Sequence, residues 1–127
     1  MMKANYEELE DMAKYSTTET KIGTWINGKP LYRKVCIIQN VTLGSTVNVS
    51  HNVSNVEEIF IENAFLCKNL DLSITRPFMG ISRNNAVSDS AKDAFLQAYI
   101  SFLSYFIGTS YECKQLVIII NYTKTTD

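Results

Sequence analysis

The side chains of this sequence best suited to chemistry are one histidine, His51, three cysteines, Cys36, Cys67 and Cys113, and two adjacent acid pairs, Glu7-Glu8 and Glu57-Glu58. Their spacing does not arrange them for it. Neighbours on a strand point to opposite faces, so Glu57 and Glu58 cannot flank one glycosidic bond as acid and base must. Glu7 and Glu8 fall at an expected helix start, where acids favour the dipole. His51 shares a strand face with Val47, Val49 and Val53, which reads as a satisfied structural residue. The cysteines are odd in number and far apart, fitting neither a disulfide framework nor a paired-cysteine metal site, and buried free thiols are expected. The five glycines are isolated, so no phosphate loop appears, and neither does GxSxG, HExxH or an Asp-rich calcium loop. The expectation is a protein that is not an enzyme, with no catalytic residue, metal or cofactor.

Charge narrows the partners. The formal net charge is −1, and among scattered basic residues only Arg33 and Lys34 are adjacent, which disfavours nucleic acid. No run approaches the roughly 18–20 apolar residues of a membrane span. The start, Met1-Met2-Lys3-Ala4-Asn5-Tyr6-Glu7-Glu8, turns acidic where a signal peptide needs an apolar stretch, so synthesis in the cytoplasm without membrane insertion is expected. Four Asn-x-Ser/Thr triplets, at Asn40, Asn48, Asn52 and Asn121, read as chance products of a chain rich in these residues rather than as glycan acceptors.

The elements that would position these side chains are mostly strands. With 127 residues, of which 46% are apolar and 20% charged, the chain has enough for one domain with a modest core. Residues 1–15 read as a short helix: Asn5 and Glu8 form a capping-box-like pair, Tyr6, Leu9 and Met12 follow at helical spacing, and Glu10 precedes Lys14 by four. A helix this short must dock on something to persist. Residues 22–26 and 31–38 flank Asn27-Gly28, a strong hairpin signal. Residues 46–53 alternate Val47, Val49, His51 and Val53 against Asn48, Ser50 and Asn52, the pattern of a half-buried strand. Residues 57–68 are partly apolar on both faces, as expected of a strand covered on two sides or bent midway. A short strand at residues 72–75 ends at Arg76-Pro77.

Residues 80–93 are polar and read as an exposed loop. Residues 94–107 read two ways. Phe95, Tyr99, Phe102 and Phe106 fit a helix capped by Ser88 or Asp89, yet the abundance of aromatic and β-branched residues favours strands. We take this stretch and residues 111–122 as a hairpin turning at Gly108-Thr109-Ser110. The predicted architecture is mostly β: a single antiparallel β-sandwich-like domain over residues 16–127, preceded by an N-terminal anchoring helix over residues 1–15. The loops rich in Asn, Ser and Tyr have the composition of adaptable recognition surfaces, making Ser82, Arg83, Asn84, Asn85 and Tyr111 candidate receptor contacts; the plainer alternative is a solvated loop. Trp25 reads as packed at the hairpin base or against a sister subunit, or as a ring stacked on a sugar.

Two phrases carry a resemblance. Tyr15-Ser16-Thr17-Thr18-Glu19 runs into Gly23-Thr24-Trp25-Ile26-Asn27-Gly28-Lys29-Pro30-Leu31-Tyr32-Arg33-Lys34-Val35, and the chain ends Asn121-Tyr122-Thr123-Lys124-Thr125-Thr126-Asp127. Together they resemble the C-terminal β-domains of bacteriophage tail and fibre proteins. His51-Asn52-Val53 is similar to a His-Gly-Ile phrase of those domains, with Asn52, which tolerates left-handed backbone, in place of glycine. The resemblance implies a virion structural protein that contributes to host-surface attachment, and a homotrimer. It implies joining to other virion proteins through Tyr6, Leu9 and Met12 of the helix, with Trp25 as a further assembly candidate. A host cell-surface glycan is the receptor class it suggests, and His51 would order a turn. The alternative is a capsid or tail decoration protein with a purely architectural role.

Overall fold

A computed structural model describes residues 15–78 and 94–127. The expected helix over residues 1–15 lies, but for its last residue, outside the described residues, as does the polar loop 80–93. The described residues form eight strands: β1 (Thr20–Thr24), β2 (Pro30–Gln39), β3 (Val47–Val49), β4 (Val56–Cys67), β5 (Ile74–Pro77), β6 (Ala94–Ala98), β7 (Leu103–Ile107) and β8 (Gln115–Lys124). They make two antiparallel sheets, ordered β1-β2-β8-β4-β5 and β3-β7-β6.

The most apolar strand sits centrally. β8 pairs with β2 on one side and β4 on the other, which suits its continuous Leu116-Val117-Ile118-Ile119-Ile120 run, because a strand buried on both faces need not alternate. Leu116, Ile118, Ile120 and Tyr122 point inward and are fully buried. From the smaller sheet Leu96, Leu103, Tyr105 and Ile107 join the same core, as do Ile61, Ala64 and Leu66 of β4. Removing this apolar surface from water is the main force holding the two sheets together.

Residues 94–107 form strands and not a helix, but the expected hairpin of this stretch with residues 111–122 does not form. The stretch folds on itself as the hairpin β6–β7, turning over residues 99–102, while β8 pairs with β2 and β4 in the other sheet. The decisive pairs are Phe95 with Phe106, whose rings stack 5.2 Å apart, and Leu96 with Tyr105. Such cross-strand aromatic contacts are unavailable to a lone helix. The first hairpin departs from the expected Asn27-Gly28 two-residue turn. Trp25 O accepts the Gly28 amide at 2.9 Å and Trp25 N donates to Lys29 O at 2.8 Å. The corner therefore falls at Ile26-Asn27, and Gly28 alone of the signal pair takes positive φ, at 86°. A wider turn closed by a left-handed glycine keeps the right-handed twist of the flanking strands.

The half-buried strand expected over residues 46–53 keeps its alternation but pairs only over β3. Asn52 has φ 58° and bends the chain away from β7. Its amide donates to Ser50 Oγ at 3.0 Å, a local bond that competes with the ladder.

Candidate functional site

The outer face of the five-stranded sheet is built by register. Arg33, Val35 and Ile37 of β2 lie beside Asn121, Ile119 and Val117 of β8. On the other side of β8, Phe60, Asn63 and Phe65 of β4 oppose the same three residues. A bulge in β4 between Ile61 and Asn63 adds Glu62 to this face.

One end of the face is polar. Arg33 Nε donates to Glu62 Oε1 at 3.1 Å, and Asn121 Nδ2 donates to the same oxygen at 3.0 Å. The Arg33 guanidinium lies 4.1 Å from the centre of the Tyr15 ring. Burial disfavours the charged form of Glu62. The hydrogen bonds from Asn121 and Tyr15, with the Arg33 charge, outweigh it and hold the carboxyl below its ordinary range. Asn121 is buried, so of the four triplets this one is closed to modification in the folded chain.

Adjoining this polar end is a mainly apolar groove of about 540 Å³ whose floor is Val35, Ile37, Phe65, Val117 and Ile119, with Glu62 and Asn63 at its polar margin. Tyr15 and Thr17 form one wall, Leu72 and Ile74 the other. Leu72 and Ile74 are 50% and 54% exposed. Leu72 also holds φ at 63°, uncommon for a bulky residue, with its amide donating to the buried Gln115 Oε1 at 2.9 Å. Sequence reasoning did not find this groove. Its signal was present in the two-faced apolar pattern of residues 57–68 and in the unbroken apolar run of β8.

Tyr111 stands apart from this face. The Arg76 guanidinium lies 4.8 Å over its ring, and Lys68 Nζ pairs with Glu112 Oε2 at 3.0 Å nearby. With Thr75 and Ser110 these residues line a polar depression in which the guanidinium covers one face of the ring. Ser82, Arg83, Asn84 and Asn85 lie outside the described residues, as do Tyr6, Leu9 and Met12.

Trp25 is half-buried and packs on Phe60, ring centres 5.2 Å apart, at the hairpin base. The neighbouring Ile26 is 91% exposed at the hairpin tip.

His51 is 2% exposed and fully engaged. Its Nδ1 accepts the Val53 amide at 3.1 Å, so the ring proton sits on Nε2, which donates to Ile100 O at 2.8 Å and Tyr99 O at 3.2 Å. Lys34 Nζ donates to His51 O at 2.9 Å. The residue thus orders the turn after β3 and ties it to the β6–β7 corner and to β2. The three cysteines are free, and burial pushes the Cys36, Cys67 and Cys113 thiols up, away from the nucleophilic thiolate. Among the described residues no three His, Cys, Asp or Glu side chains gather to hold a metal ion, and no helix is long and apolar enough to cross a membrane.

Residues 15–35 and 121–127 meet in one cluster. Tyr122 Oη donates to Glu19 Oε1 at 2.5 Å and Lys124 Nζ bonds Glu19 Oε2 at 2.7 Å. Tyr32 Oη donates to Asp127 Oδ2 at 2.8 Å, and the Tyr32 and Tyr122 rings stack 5.8 Å apart. Compared with known protein families, curated proteins and solved structures, the chain matches none.

Proposed function

We propose that this chain is a bacteriophage virion structural protein of tail- or head-fibre type that contributes to host-surface attachment. The observation that carries the reading is the terminal cluster. The two phrases that resemble fibre domains are 103 residues apart at Glu19 and Tyr122, yet they bond directly. The first phrase runs into β2 and the last ends β8, which are sheet neighbours, so both phrases belong to one scaffold, the arrangement that the resemblance requires. The position of His51 and the left-handed Asn52 agree with the third, weaker phrase.

In this reading the two sheets stack as a sandwich, the protein assembles as a homotrimer in the virion, and residues 1–15 join it to other virion proteins. The loop bearing Ser82, Arg83, Asn84 and Asn85, together with Tyr111, contacts a host cell-surface glycan. The depression beside Tyr111 offers Lys68, Thr75, Arg76 and Glu112, side chains able to hydrogen-bond sugar hydroxyls.

A second reading is an architectural decoration protein with no receptor. The exposed apolar groove favours it, because a surface of this composition suits a protein contact better than a sugar. Adsorption assays separate the two. Purified full-length protein should compete with phage for the host cell, and replacing Ser82, Arg83, Asn84 and Asn85 by alanine should abolish competition. Protein that occupies particles but never competes would support the architectural role. A monomer by light scattering would remove the fibre assembly.

A further inference from the structure

We infer that the apolar groove on the outer face of the five-stranded sheet is the docking site of the chain's own N-terminal segment, residues 1–14. The inference does not rest on the virion reading.

The position of Tyr15 carries it. Ser16 O accepts the Val35 amide at 2.9 Å, which pins the chain along β2 just ahead of β1. Tyr15, one residue earlier, lies over Arg33 and forms a wall of the groove together with Thr17. The preceding residues are therefore delivered to the groove mouth by a backbone already fixed there, which keeps their effective concentration at the site high.

The composition of the segment matches. Tyr6, Leu9 and Met12 recur every third residue, and Tyr15 is the next member of that series. The one member whose place is described already contacts the groove. Fourteen residues span ~21 Å as a helix and about twice that when extended, enough to cross a sheet of five strands set ~4.8 Å apart.

Size favours a segment over a second folded domain. The groove holds about 540 Å³, room for a few side chains of the size of Leu, Met and Tyr. A stable contact between two copies commonly buries ~800 Å² on each partner, over a broad surface rather than one furrow. On the opposite wall Leu72 and Ile74 remain half-exposed, the surface that an inserted Leu9 or Met12 would cover.

The test uses the full-length protein with methyl-labelled Ile, Leu, Val and Met. Nuclear Overhauser contacts from the Leu9 or Met12 methyls to Ile37, Ile74, Val117 or Ile119 are expected. A sample mixed from separately labelled chains should show them within one chain only. The variant Leu9→Asp/Met12→Asp should lose these contacts and shift the groove methyls, leaving the Leu96 and Leu103 core methyls in place. Trypsin cleavage after Lys14 should accelerate by at least about tenfold, the factor that loss of 1.4 kcal/mol of docking gives. The proposal is overturned if groove methyls show contacts between chains, or to another segment of the same chain. It is equally overturned if they are unmoved by the double substitution.

Discussion

The Tyr122 hydroxyl donates a 2.5 Å hydrogen bond to Glu19, joining the last strand of the five-stranded sheet to the residue that precedes its first. Burial, then the Glu19 bond and charge, push the Tyr122 phenol far above its usual range. A group whose pKa is raised on folding lends stability that is whole below its unfolded pKa and is lost as pH climbs beyond it. Stability against urea should therefore hold to about pH 10 and fall above it. Tyr32, raised first by its hydrogen bond to Asp127, adds to the same limb, so Tyr32→Phe serves as the background. Adding Tyr122→Phe to it should cost roughly 1 kcal/mol at pH 7 and flatten the alkaline fall. Parallel curves for the two chains would show that Tyr122 is not the group responsible.

Glu62 gives the acid limb. Burial opposes its charge, but the Asn121 and Tyr15 hydrogen bonds and Arg33 prevail and lower its pKa. The stability it contributes is present above the unfolded glutamate value of about 4.3 and disappears as pH falls through the lower folded value. Melting temperatures between pH 2.5 and 6 should fall less steeply for Glu62→Gln than for the parent chain. An unchanged slope would rule out Glu62 as a source of the acid sensitivity.

His51→Ala should destabilise the protein by roughly 2–3 kcal/mol, because the Val53 amide and the Ile100 carbonyl lose a buried partner. The damage should be shared between the turn after β3 and the β6–β7 corner. Hydrogen exchange should rise at Val53 and at Tyr99, whose amide donates to Phe102 O across the corner, while the Ile118 amide in β8 keeps its relative protection. A variant as stable as the parent would deny His51 this structural role.

Gly44 has φ 80°, and a β-carbon there would lie 2.9 Å from Thr109 Cγ2. Gly44→Ala should cost about 1–2 kcal/mol from the left-handed backbone alone. Part of any further loss should return in Gly44→Ala/Thr109→Ser, which removes the offending methyl. Chemical denaturation of the single and double variants measures both parts, and an unaffected Gly44→Ala would contradict the tight loop seen here.

Much of the fold was legible because its signals are local. Alternation at Val47, Val49 and His51 marked a half-buried strand, and the aromatic and β-branched bias of residues 94–107 marked strands. The hairpin expected between that stretch and residues 111–122 gave way to one within it, because β8 finds its partners in β2 and β4. The corner at Ile26-Asn27 was misplaced by one residue. Asn27-Gly28 announces a turn, but the twist of the paired strands selects which turn forms. Candidate sites were far less legible. Trp25 was placed at the hairpin base, yet its partner Phe60 comes from β4, a strand whose neighbours the chain order does not reveal.

By itself the sequence determined a mostly β chain and the scattering of its reactive side chains, since backbone preference and side-chain spacing act over a few residues. The tertiary structure decided that β8 is central, that Glu19 meets Tyr122, and that Val35, Phe65, Leu72 and Ile119 converge into a groove. These contacts follow from strand order and register, which depend on which apolar faces find one another across the whole chain.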